Sequence, residues 1–185
     1  MTRIGIIVGS TRPNRNSGKV ARWVQAVSAK RGDAEFEVVD LRDHRLPHLD
    51  EPMSAAYGHY QHWAATISAF NGFVIVSPEY NHGIPGVLEN ALDYLYAEWN
   101  NKAVGFVTSG GVGGARAAEH LRTTAGELQM ADVRRQVTLS LGSDFENYTD
   151  FAPRAHQTAA VNAMIDQVIA WSTALAPVRA AATAA

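Results

Sequence analysis

Side chains able to bind an anion or move a proton gather in three short stretches of this chain. One is Ser77-Pro78-Glu79-Tyr80-Asn81-His82-Gly83-Ile84-Pro85-Gly86. Two prolines and two glycines constrain its backbone around a carboxylate, a phenol, an amide and an imidazole. A loop that merely connected two elements would need none of these groups. Tyr80 and His82 could each donate a proton to a bound substrate or simply wall it in; walls are the expectation where a cofactor carries the chemistry. Glu79 is expected to bond neighbouring loop amides rather than to act as an acid. The chain has no cysteine, which excludes disulfides, thiolate metal sites and a cysteine nucleophile.

The second stretch runs Gly9-Ser10-Thr11-Arg12-Pro13-Asn14-Arg15-Asn16-Ser17-Gly18-Lys19. Such a turn between a strand and a helix offers free backbone N–H groups and the positive end of a helix dipole. Ser10, Thr11, Asn16 and Ser17 add neutral donors, and Arg12, Arg15 and Lys19 add charge. The dipole contributes about 0.3–1 kcal/mol and each charged hydrogen bond about 1.5–3 kcal/mol. Together they suit a phosphate dianion. A triphosphate-binding loop needs four residues between its first glycine and Gly-Lys, whereas eight separate Gly9 from Gly18. The three spaced glycines of a dinucleotide fingerprint are also missing. Failure of both patterns points to a monophosphate ligand such as FMN.

The third stretch is Thr108-Ser109-Gly110-Gly111-Val112-Gly113-Gly114, with four glycines in five positions. Glycine here allows close backbone approach to a flat ligand, and the amides before a helix could stabilise negative charge growing on it. The plain alternative is a flexible strand-to-helix connection. No Gly-x-Ser-x-Gly occurs, so the segment is not a nucleophile elbow.

The intervening sequence says how these stretches are positioned. Residues 3–8 and 73–76 are short apolar runs that read as strands buried on both faces, and Lys102–Thr108 reads as another. Glu35–Leu41 reads as the second strand, and alternating Arg134–Leu141 as an edge strand. Helices are expected over Ser17–Arg31, Ala55–Phe70, from Val87 to about Glu98, from Ala115 to about Met130, and over 154–175. Residues 42–53 and 142–152 read as loops, and the alanine-rich 176–185 as a frayed tail. Strands alternating with helices predict an α/β fold, a parallel sheet covered on both faces, in one domain over 1–185. All three stretches then leave carboxyl ends of strands, the edge at which ligands bind.

A chain of 185 residues, 46% hydrophobic, is long enough for a sizeable core, and a net charge of −2 suggests neither nucleic acid nor a membrane surface as partner. The first strand begins at Arg3, leaving no room for a signal peptide, and a cytoplasmic location is expected. His44, His48, His59 and His62 gather around the second loop and helix, but no carboxylate is placed to complete a metal site, and none is expected. Tyr94, Tyr96 and Trp99 suit a subunit interface better than the core. Arg116 and Arg122 read as solvated helix charges.

Taken together, the three stretches resemble the NADPH-dependent FMN reductase family, of flavodoxin-like fold, which includes flavin, quinone, azo-dye and chromate reductases. The resemblance rests on Gly9-Ser10-Thr11-Arg12, on Pro78-Glu79-Tyr80-Asn81 and on Ser109 to Gly114, in the family's order and spacing over residues 3–175. It implies a three-layer sandwich around a five-stranded parallel sheet of order 2-1-3-4-5. It implies Ser10, Arg12 and Ser17, with Asn16 beside them, as ligands of the FMN phosphate. Pro78, Glu79, Tyr80 and Asn81 would line the isoalloxazine ring, and Ser109, Gly110 and Gly111 would cover its pyrimidine side. Relatives are commonly homodimers or homotetramers. One departure is Ile84, where relatives often carry an aromatic residue; a changed entrance could alter the choice of acceptor.

The implied activity is ping-pong: NADPH or NADH passes a hydride to FMN and leaves, and a small oxidised acceptor (a flavin, quinone or azo compound) then takes two electrons. The alternative is a flavodoxin-like electron carrier or redox-sensing module with little turnover. Such carriers resemble an Arg-free phosphate loop on a strongly acidic surface, and Arg12, Arg15 and the small net charge disfavour that reading.

Overall fold

The structure is a computed structural model that describes residues 1–49 and 53–184. Five strands, β1 (Thr2–Val8), β2 (Ala34–Asp40), β3 (Gly72–Pro78), β4 (Ala103–Gly110) and β5 (Ala131–Ser140), form one parallel sheet in the order β2-β1-β3-β4-β5. β3 and β4 are buried along almost their whole length, as the apolar runs Phe73–Val76 and Ala103–Val107 within them require.

Successive side chains of a strand point to opposite faces, so the sheet feeds two cores. Phe73 and Ile75 pack with Trp63, Leu88, Trp99 and Leu121 under α3 (Met53–Ser68), α4 (Gly86–Asp93) and α5 (Ala115–Glu127). Val74 and Val76 pack with Val24, Val161 and Ile165 under α1 (Ser17–Ser28) and α6 (His156–Ala174). The arrangement is the flavodoxin-like three-layer sandwich.

Several local expectations change. β5 starts three residues before the predicted Arg134, because Ala131 and Asp132 find partners in Ala103 and Val104 of β4. α4 stops at Asp93 instead of near Glu98, since the Trp99 indole donates to the Leu92 carbonyl and folds the chain back. Trp99 and Tyr94 are consequently core residues and not interface aromatics; Tyr96 alone of the three is exposed. The predicted 42–53 loop, of which residues 50–52 lie outside the described residues, begins within a short helix, α2 (Leu41–His44), capped by the Asp40 carboxylate on the Arg42 amide. The predicted 142–152 loop contains a hairpin, β6 (Phe145–Glu146) and β7 (Asp150–Phe151). It rests on the Asp144 carboxylate, which accepts from the Ser140 and Arg154 amides.

The tail expected to fray is helical as α7 (Ala176–Ala184). Alanine is the best helix former, and Arg179 ties the helix down by donating to the Ser172 and Asn101 carbonyls. Arg122 is likewise no free surface charge: it pairs with Asp132 and donates to the Val133 carbonyl and Gln136 Oε1, joining α5 to β5. No helix among the described residues is long and apolar enough to cross a membrane.

Candidate functional site

β1, β3 and β4 are adjacent, and Val8, Val76 and Val107 lie in register across them. The loops that follow these strands therefore emerge side by side. They enclose a cleft of about 220 Å³ that β5 and the hairpin close with Leu141 and Phe145. Of the residues expected there from sequence, Arg12, Asn16, Ser17, Pro78, Glu79, Tyr80, Ser109 and Gly110 line it. Ser10 is buried beneath and touches the cleft through Tyr80, whose hydroxyl stands 3.1 Å from Ser10 Oγ. Gly111 is exposed just beyond Gly110, and a Cβ there would meet nothing within 4 Å. Asn81 and His82 point off the tip of their loop, both exposed.

The tip has a conformational reason for its residues. Tyr80 and Gly83 exchange both backbone hydrogen bonds at 3.0 Å, and Asn81 and His82 between them have φ of 51° and 67°. Two positive φ values make a mirror-image turn, which Asn and His tolerate better than other side chains. His82 has no hydrogen-bond partner among the described residues and, exposed at the turn, does not line the cleft. Ile84 is half-buried against the core beneath α3 and α4.

Charge is distributed differently from the sequence expectation. Of the three cations near the first loop, Arg15 pairs with Asp40, and Lys19 lies 3.8 Å from Asp150. Arg12 lies with its guanidinium 3.7 Å from the Tyr80 ring centroid, and both Arg12 and the paired Arg15 line the cleft. The first turn of α1 supplies the rest. Asn16 stands at the cap position but makes no capping bond, and Ser17 Oγ is buried without a partner. Buried polar atoms are nearly always paired, so an orphaned hydroxyl beside uncapped helix amides marks a corner shaped for an oxygen-rich anion. A flavin phosphate fits this corner.

Sequence reading missed Arg116. Glu79 is held under the loop by the Arg116 amide at 3.0 Å and its guanidinium at 2.7 Å. Burial pushes the Glu79 carboxyl up, but the Arg116 donors and charge outweigh it and hold it below the ordinary carboxylate value. A signal was present: Arg116 occupies the first turn of α5, where a cation opposes the helix dipole and needs a carboxylate nearby. Glu79 thus accepts from an amide of the first turn of α5 and not from its own loop, and it fixes β3's loop to the start of α5. Gly114 before it has φ 76°, and a Cβ there would lie 2.7 Å from the Ser109 amide, so only glycine closes this turn.

On α4, Glu89 is half-buried, its Oε2 3.7 Å from His120 Nε2, and burial raises its pKa. His44 stacks edge-on against Trp63 at 4.7 Å and lies 5.1 Å from the His62 ring. Burial first, then the His62 charge, lower its pKa. Among the described residues no group of three or more His, Asp or Glu is placed to hold a metal.

Residues 2–144 match the profile of the NADPH-dependent FMN reductase family. The chain is 38% identical over 149 residues to an NAD(P)H-dependent FMN reductase of Schizosaccharomyces pombe, covering 77% of this chain and 74% of that one. It is 34% identical over 130 residues to a quinone reductase of Escherichia coli, covering 63% and 65%. Among solved structures it is similar to FerB, an NAD(P)H:acceptor oxidoreductase from Paracoccus denitrificans. The TM-score is 0.74 at 20% identity, over 91% of this chain and 97% of that one.

Proposed function

This chain belongs to the NADPH-dependent FMN reductase family and is an NAD(P)H-dependent FMN oxidoreductase, and from that premise we propose that the cleft between β1, β3 and β4 reduces small quinones and flavins by a ping-pong mechanism. FMN, when bound, supplies the two-electron chemistry. The chain's own residues bind and orient it. Arg12, Asn16 and Ser17, with Ser10 beneath, hold the phosphate. Pro78, Glu79 and Tyr80, which line the cleft, would wall the ring, and Ser109 and Gly110 would lie along its polar edge, with Asn81 and Gly111 exposed just beyond it.

The observation that carries this reading is the buried, partnerless Ser17 hydroxyl at the uncapped start of α1, opening on the same cleft as Tyr80 and Gly110. No side chain in the cleft is a placed general base: Glu79 is engaged with Arg116 and Tyr80 with Ser10. That suits a reaction whose protein part is positioning. A quinone acceptor is supported by the likeness to a quinone reductase. We further place the chain in the cytoplasm, acting over its whole length as one FMN-binding domain and assembled as a homodimer or homotetramer, for which the exposed Tyr57 and Tyr96 offer apolar surface.

Initial rates with varied NADPH and varied benzoquinone test the proposal. FMN-loaded protein should give parallel double-reciprocal lines and steady quinone turnover. Intersecting lines, or no turnover with quinone or free flavin, would count against it.

A further inference from the structure

Beside the cleft lies a second pocket, of about 230 Å³, between the first loop, α2 and α4. Its floor is apolar, with Leu41, Leu46 and Val87, and its rim carries Arg42, Arg45 and His48. NADPH differs from NADH only by a phosphate on the 2′-oxygen of its adenosine ribose, and arginines at a cleft edge are a suitable partner for that group.

The pocket is held by bonds among three elements. Arg42 Nη2 donates to the Thr11 and Arg12 carbonyls at 3.2 and 2.8 Å, fixing α2 to the first loop. Asn90 of α4 donates to the Pro47 carbonyl and accepts from the Leu49 amide, and the Tyr94 hydroxyl donates to the same Pro47 carbonyl. The segment carrying His48 is thereby pinned to α4. Arg45 ends α2 with φ 47°, a left-handed turn that places it at the rim. Arg42 is occupied by its backbone partners. Arg45 and His48 are exposed, with no ion pair or hydrogen bond among the described residues.

We propose that this pocket binds the 2′-phosphate of NADPH, with Arg45 and His48 as its ligands and Arg42 as a positioning residue, and so selects NADPH over NADH. Thr11 belongs both to this pocket and to the loop whose next residue, Arg12, reaches the flavin cleft. The apolar floor would take the sugar face while the rim takes the charge. The proposal deepens, and rests on, the reading that NAD(P)H is oxidised at that cleft.

The test compares kcat/KM for NADPH and NADH, at saturating benzoquinone, in FMN-loaded wild-type protein, Arg45→Ala and His48→Ala. The wild type should prefer NADPH. Arg45→Ala should lose about tenfold or more with NADPH, the size of a lost charged hydrogen bond, and His48→Ala a few-fold. Values with NADH should stay within about twofold, with FMN content unchanged. Adenosine 2′,5′-bisphosphate should inhibit the wild type more strongly than 5′-AMP, and Arg45→Ala should erase the difference. A wild type without NADPH preference, an unchanged NADPH/NADH ratio in the variants, or equal losses with both nucleotides would overturn the pocket assignment alone. A wild type that oxidises neither nucleotide would overturn the cleft reading and this inference with it.

Discussion

Arg12 lies over the Tyr80 ring: the guanidinium carbon is 3.7 Å from the ring centroid, while the Tyr80 hydroxyl stands 3.1 Å from Ser10 Oγ. One aromatic residue on the loop after β3 therefore holds two residues of the loop after β1. The phosphate corner and the ring wall are parts of a single pre-organised surface.

Tyr80→Ala should weaken FMN binding by about tenfold, the combined size of a cation–π contact and a hydrogen bond. Tyr80→Phe keeps the ring and should cost only about two- to threefold. Flavin fluorescence titrations would show this order, and equal affinities for all three proteins would remove Tyr80 from the site.

Glu79 supports that surface from below. Glu79→Gln replaces a buried carboxylate and leaves the Arg116 guanidinium without its anion, a loss of about 1–3 kcal/mol at pH 7. The native carboxyl lies below its ordinary pKa, so its stabilisation is complete above the unfolded value and is lost as pH falls through the folded value. Urea melts from pH 7 down to pH 3 should show the gap between wild type and Glu79→Gln narrowing toward acid. A constant gap would mean that the Arg116 pairing is not what the carboxylate contributes.

Much of this architecture was legible from sequence. Phe73-Val74-Ile75-Val76 could only be an interior strand, and the prolines and glycines around Glu79 marked a rigid loop at its carboxyl end. Three such loops on neighbouring strands gave the cleft. What was not legible depends on contacts between distant residues. Glu79 and Arg116 are 37 positions apart, and nothing local distinguishes a clamp from a solvated arginine except its awkward place in a first turn. Trp99 read as interface because large aromatics are favoured there; its indole bond to Leu92 turns it inward instead. The 142–152 segment lacks a strand pattern, and its hairpin exists because Asp144 gathers amides from both sides. Arg15 and Lys19 read as charge added to the phosphate loop, but Asp40 and Asp150 were invisible as their partners.

Far from the cleft, Lys102 lies buried at the start of β4, donating to the Ile67 carbonyl at 2.8 Å. Burial, and then the charge of Arg179, lower its pKa from 10.5 to about 8. The unfolded chain therefore binds more protons between those values, and stability should rise as pH increases from about 8 toward 10.5. Lys102→Met should flatten that rise, and thermal melts of the two proteins across this range decide it. An identical slope in both would place the titration elsewhere.

The central claim is that this cleft passes electrons from NAD(P)H to bound FMN and on to an acceptor. Anaerobic mixing of the yellow FMN-loaded protein with one equivalent of NADPH measures it directly. The yellow absorbance should bleach rapidly and return on adding one equivalent of benzoquinone, with the same protein completing repeated cycles. A yellow protein that NADPH leaves unbleached, or a bleached one that quinone does not restore, would contradict it.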